Sequence, residues 1–183
     1  MARLTIVDPA QATGETKELL DAVKAKTGAI PNMTKALANS PAALRVYLDV
    51  SSALAGGKLD GAMRERIALG TAEYNACTYC LSAHTFLAKN VAKLDEHEID
   101  AARRFESRDE RIAAGLRFTR AVLEQRGQVS DEDLDQVRAA GYGDGELAEI
   151  VANVALNTLT NYFNRLAAPD LEFPGVEPAA IAA

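Results

Sequence analysis

The feature that most restricts what this chain can become is the period of its apolar residues. They recur at intervals of three and four from the Thr13–Thr27 segment to Leu166, and no stretch alternates convincingly as a half-buried strand does. The pattern predicts an all-α fold. Thr13–Thr27 carries Leu19, Leu20 and Val23 on one face and stops at Gly28, and Ile30-Pro31-Asn32-Met33 reads as a turn. Ser40-Pro41 pairs an N-cap with Pro at the first helical position, and its helix bears Leu44, Tyr47, Leu48 and Leu54 before Gly56-Gly57. Asp60 caps a helix over about 61–75, Asn75-Ala76 breaks it, and another follows from about Thr78 to Val91. Asp95…Glu98 and Ser107…Glu110 have the spacing of capping boxes and predict helices over about 96–104 and 108–126. Ser130 opens a short helix that Gly141 stops, and Asp144 opens a long one that runs to Leu166 and precedes Pro169. Pro169–Ala183, with three prolines and little periodicity, reads as an extended arm whose Leu171 and Phe173 can pack on a neighbouring surface.

A chain of 183 residues without internal repeats suits one domain, with a helical core over about 40–168 and the arm over 169–183. A composition 48% hydrophobic and 25% charged excludes a disordered or collagen-like chain. The net charge of −6 argues against a nucleic-acid partner, because neutralising phosphates takes a surplus of Lys and Arg. No apolar run approaches the length that spans a bilayer, and the N-terminus meets Asp8 before a signal-peptide core could form. The expected setting is the cytoplasm, away from membranes. Thiols are kept reduced there, so a close cysteine pair is expected to do chemistry rather than staple the fold.

Both cysteines lie in Cys77-Thr78-Tyr79-Cys80-Leu81-Ser82-Ala83-His84. On a helix Cys77, Cys80 and His84 share one stripe, since residues three and four apart are surface neighbours. At a helix start the macrodipole and free N–H groups favour the thiolate, and His84 can take its proton or pair with it. Glu65, twelve positions before Cys77, could reach His84 and orient it if the two helices pack antiparallel. The same residues admit other readings. Two cysteines can be small buried hydrophobes. Two thiols and an imidazole also supply three zinc ligands, with His97, Glu65 or water as the fourth. A non-enzymatic helical oligomer whose Cys pair and His84 sense oxidation or hold zinc is therefore the alternative to an enzyme. Tyr74, Tyr79, Tyr162 and Phe163 read as core or interface residues, and Asn157 and Asn161 as packing residues of the last helix.

The arrangement Glu65, eleven residues, Cys77-x-x-Cys80-x-x-x-His84 resembles the signature of the alkylhydroperoxidase D-like branch of the carboxymuconolactone decarboxylase family. Arg64-Glu65-Arg66-Ile67 and Thr160-Asn161-Tyr162-Phe163-Asn164 resemble its peroxidase-related members. The resemblance implies an all-helical homo-oligomer, trimer or hexamer, acting as a peroxidase with a dithiol donor of lipoyl or thioredoxin type and no cofactor or metal. By the same resemblance Cys80 attacks the hydroperoxide, Cys77 resolves, His84 takes the proton and Glu65 supports His84 in a relay. One departure stands out. A second histidine precedes the second cysteine in the best-studied members, and this chain has Tyr79, whose phenol does not titrate near neutrality. That implies a shorter relay or a weaker peroxidase.

Overall fold

The computed structural model describes residues 2–179; Met1 and residues 180–183, the end of the expected arm, lie outside the described residues. Among the described residues there are nine helices and no strand: α1 (Gly14–Thr27), α2 (Asn32–Leu37), α3 (Pro41–Ala55), α4 (Gly61–Tyr74), α5 (Thr78–Asn90), α6 (Glu96–Arg103), α7 (Glu110–Glu124), α8 (Asp131–Ala139) and α9 (Asp144–Ala167). Helix α4 is the hub, packing against α5, α6, α7 and α9. Its run from Arg66 to Ala72 is buried, so it has no solvent face along that length. Gly70 makes one of these approaches possible. A Cβ there would lie 2.5 Å from the Phe105 ring and 3.0 Å from the Ala102 carbonyl, and neither that ring nor that backbone could stay in place.

Most starts follow the expected chemistry. Ser40, Asp60 and Asp95 each accept a backbone N–H three residues on, and Ser130 closes a full capping box with Asp133. Two expectations are corrected. Ile30–Met33 is not simply a turn. Pro31 caps the six-residue α2, and the Lys35 N–H and Thr34 hydroxyl both donate to its carbonyl, at 3.0 and 2.7 Å. Ser107 does not cap α7. Its hydroxyl donates to Glu98 at 2.8 Å, so capping passes to Asp109, which accepts from the Ile112 N–H at 3.0 Å. The core also runs beyond 40–168: Leu20, Met33 and Leu37 are buried in it, and Phe173 packs against it.

The arm is held down on its own chain. Phe173 sits edge-on to Tyr79, with ring centroids 6.1 Å apart, and tilted against Phe86 at 5.6 Å. The Val176 N–H donates to Ser82 Oγ at 2.9 Å, and Thr78 Oγ1 donates to Glu177 at 2.9 Å. Leu171, by contrast, is 41% exposed. The described part of the arm thus lies along α5, over the turn that carries both cysteines.

Candidate active site

The site is built around the turn from α4 into α5. Asn75 ends α4, and Ala76, at φ +50°, takes the left-handed conformation that reverses the chain. Helix α9 fixes this turn. Asn75 Nδ2 donates to Asn161 Oδ1 at 3.0 Å, and Arg165 Nη1 donates to the Asn75 carbonyl at 2.7 Å. Asn161 is thus a packing residue, as expected, and its task is to place the cysteine turn. Cys77 is the N-cap of α5, its sulfur accepting the Cys80 N–H at 3.3 Å. Cys80 sits in the first turn, and the two sulfurs are joined as a disulfide with Cα atoms 5.4 Å apart, within the usual range. The placement at a helix N-terminus expected from the sequence is the one observed.

The two sulfurs have different surroundings. Both residues are buried, but only Cys80 lines the cavity of about 240 Å³ between α2, α3, α4, α5, α9 and the arm. His84 and Glu65 line the same cavity. Their contact is direct: His84 Nδ1 lies 2.9 Å from Glu65 Oε2, and both side chains are 22% exposed. This engages one ring nitrogen and leaves Nε2 for chemistry. The other walls are largely apolar, from Met33, Tyr47, Leu54, Leu87, Leu156 and Phe173. Burial, and then the Glu65 charge, push the Tyr47 phenol above its ordinary value, so it stays a neutral donor.

Tyr79, between the cysteines, has a task that was not anticipated. Its hydroxyl donates to Glu172 of the arm at 2.8 Å and accepts the Met33 N–H at 3.2 Å. Burial pushes its pKa well up; the Met33 N–H only partly offsets this, and Glu172 adds to it. It lines the cavity as a neutral clamp between α2, α5 and the arm. Tyr74 and Tyr162, by contrast, are exposed at 44% and 61%. Asn157 lines the cavity, and with it Asn153, Thr160 and Asn164 of α9, three residues that sequence reasoning did not assign to a site. Asn164 Nδ2 donates to Cys80 Sγ at 3.2 Å. Its available signal was the spacing 153, 157, 160, 164, which puts four polar residues on one helical face.

His97 is exposed and does not line the cavity, and no cluster of three His, Cys, Asp or Glu side chains suited to a metal occurs among the described residues. No helix among them is long and apolar enough to cross a membrane.

Residues 41–124, which include Glu65, Cys77, Cys80 and His84, match the model of the Carboxymuconolactone decarboxylase family. Through this segment, a little under half of its length, the chain is similar to that family. The whole fold is similar to an uncharacterized peroxidase-related protein of Ralstonia eutropha JMP134, described as an alkylhydroperoxidase AhpD core. The TM-score is 0.83 at 24% identity, over 93% of this chain and 92% of that one. An uncharacterized peroxidase-related protein of Silicibacter sp. TM1040 gives 0.80 at 23% identity, with the same coverage of 93% and 92%. The debrominase Bmp8 gives 0.77 at 19%, again covering 93% and 92%. These likenesses establish the fold. Among curated proteins, none matches the chain.

Proposed function

We propose that the chain is a thiol-dependent peroxidase that reduces hydroperoxides through a Cys77/Cys80 dithiol–disulfide cycle, with His84 and Glu65 as its proton relay. One observation carries the reading: Cys80, His84 and Glu65 share a cavity while the Cys77 sulfur is within bonding reach of Cys80. In the reduced protein His84 takes the Cys80 proton, and the thiolate attacks the terminal oxygen of the hydroperoxide. An S–O bond forms and the O–O bond breaks. Sulfur is oxidised to the sulfenic acid, and the alkoxide leaves with a proton returned by His84. Cys77 then attacks the sulfenic sulfur, forming the disulfide and releasing water. Two thiol–disulfide exchanges with a dithiol of lipoyl or thioredoxin type restore both thiols and leave that donor oxidised. A reducing compartment such as the cytoplasm supplies such a donor.

The family resemblance also implies a homo-oligomer. The outer face of α9 offers a surface for a second copy, where Val151, Leu159, Tyr162 and Leu166 are 44–61% exposed. The debrominase neighbour favours a second reading, in which the largely apolar cavity takes a halogenated aromatic ring.

Stopped-flow mixing of pre-reduced protein with hydrogen peroxide, cumene hydroperoxide and a bromopyrrole separates the readings. Peroxidase action gives fast consumption of one equivalent of hydroperoxide with disulfide formation. Bromide release without peroxide consumption would replace this reading by the second.

A further inference from the structure

The cavity-facing row of α9 contains one side chain that breaks the habit of the others. Asn153 Nδ2 donates back to the Glu149 carbonyl and Asn157 Nδ2 to the Asn153 carbonyl, each at 2.8 Å and four residues upstream. Thr160 Oγ1 likewise turns back to the Asn157 carbonyl at 3.0 Å. Asn164 has the same option and does not take it. Its amide reaches across to Cys80 Sγ, 84 positions away in sequence. Asn164 is 3% exposed, and its Oδ1 has no hydrogen-bond partner among the described residues. Thr85 Oγ1 and Asn161 Nδ2 are also buried without partners, but neither residue lines the cavity, whereas Asn164 does. A buried amide oxygen left unsatisfied costs free energy, so its retention beside a reactive sulfur points to a ligand.

We infer that Asn164 is a catalytic residue of this site: its amide N–H stabilises negative charge on the Cys80 sulfur, and its oxygen accepts the O–H of the incoming hydroperoxide. The second half rests on the peroxidase reading; the first does not. The two sulfurs are then provided for separately. Cys77 has the Cys80 backbone N–H at the start of α5, and Cys80 has a side-chain donor from α9. The charge that needs stabilising appears on Cys80 twice per cycle. It is present on the thiolate that attacks the peroxide, and again when a dithiol attacks Cys77 and Cys80 leaves. A donor fixed in place before either step needs no reorganisation. During the peroxide step the O–H held by Oδ1 is on the oxygen that bonds to sulfur, so this contact aligns the O–O bond for displacement.

The test uses the full chain in a Cys77→Ser background, where Cys80 is the single thiol. The pH midpoint of Cys80 alkylation by iodoacetamide is followed by peptide mass spectrometry, with and without Asn164→Asp or Asn164→Leu. Loss of a hydrogen bond to a charged sulfur is expected to raise the midpoint by about one unit, roughly tenfold less thiolate at neutral pH. If both variants melt cooperatively and keep the parent midpoint, the donor role is wrong. Should Asn164→Leu not fold, Asn164→Ser takes its place.

With both cysteines present, Asn164→Leu is expected to raise KM for cumene hydroperoxide about tenfold, the size of one lost hydrogen bond. Asn164→Asp, which keeps an acceptor oxygen, should raise it less. Equal KM values in wild type and Asn164→Leu would overturn the acceptor role. A shifted alkylation midpoint in a protein that consumes no peroxide would sink the peroxidase reading and the acceptor role while upholding the sulfur contact.

Discussion

Glu65 and Arg66 are adjacent in sequence, yet their side chains serve two carboxylate sites of opposite character. Arg66 turns toward α6 and meets Glu98, whose carboxylate accepts five hydrogen bonds, from Arg66 Nε and Nη2, Ser107 Oγ, and Arg108 N and Nε. Burial alone would raise the Glu98 pKa, but these donors outweigh it and hold it at about 2. Glu65 turns the other way, into the cavity, and among the described residues has one hydrogen-bond partner, His84. The contrast separates two uses of a carboxylate. With every lone pair engaged, Glu98 is locked in its charged form and joins α4, α6 and the loop before α7. With lone pairs to spare and an imidazole for its partner, Glu65 has the arrangement that the proposed relay requires. One turn of α4 thus supplies a structural anchor on one side and, in the proposed relay, a proton-handling group on the other.

Cys80→Ser should abolish peroxide turnover in a coupled dithiol assay while leaving the melting curve intact. Retained turnover would remove Cys80 from the chemistry. Glu98→Gln strips the charge from a buried pair and should cost about 3–5 kcal/mol in chemical denaturation, with turnover per folded molecule unchanged. The same carboxylate gives a pH signature. Its folded pKa lies below the ordinary 4.5, so the unfolded chain binds the proton more tightly, and the stabilisation is complete above pH 4.5. About 3 kcal/mol should be lost as pH falls from 4.5 toward 2, and acid titration of Glu98→Gln should lack that component. Glu65→Gln should do the reverse of Glu98→Gln. Turnover is expected to drop about 100-fold, the lower range for proton-transfer assistance, with little change in stability. If instead Glu65→Gln unfolds the protein and spares turnover, the two carboxylates have been assigned the wrong way round. Smallest of all, Glu172→Gln weakens the clamp on Tyr79 and the start of α2 and should cost about 1 kcal/mol, read as a modest fall in Tm.

Much of the fold was legible because helices advertise themselves locally. Ser40, Asp60, Asp95 and Ser130 cap helices within three residues of themselves, and a pattern that short survives in a single sequence. The same holds for Cys77 at the start of α5, with Cys80 and His84 following on the same helix. Glu65 was legible as a candidate because the α4–α5 turn is short enough to bring neighbouring helices back together. Apart from α2, which Pro31 caps locally, the failures are contests won by distant residues. Ser107 has the local spacing of a cap, but a buried carboxylate nine positions upstream takes its hydroxyl. Asn164 meets Cys80 across 84 positions, and Tyr79 meets Glu172 across 93, separations at which periodicity carries no information. That Phe173 packs was legible, but nothing nearby in sequence shows that Tyr79 and Phe86 are the rings it meets.

The central claim is that the sulfur facing the cavity is the one that peroxide oxidises. Cys77→Ser protein, reduced and exposed to one equivalent of cumene hydroperoxide in the presence of dimedone, tests it in a single mass spectrum. The account predicts stoichiometric dimedone adduct on the Cys80 peptide, formed much faster than on a denatured control. An unmodified Cys80 peptide, or one labelled no faster than the denatured chain, would contradict it.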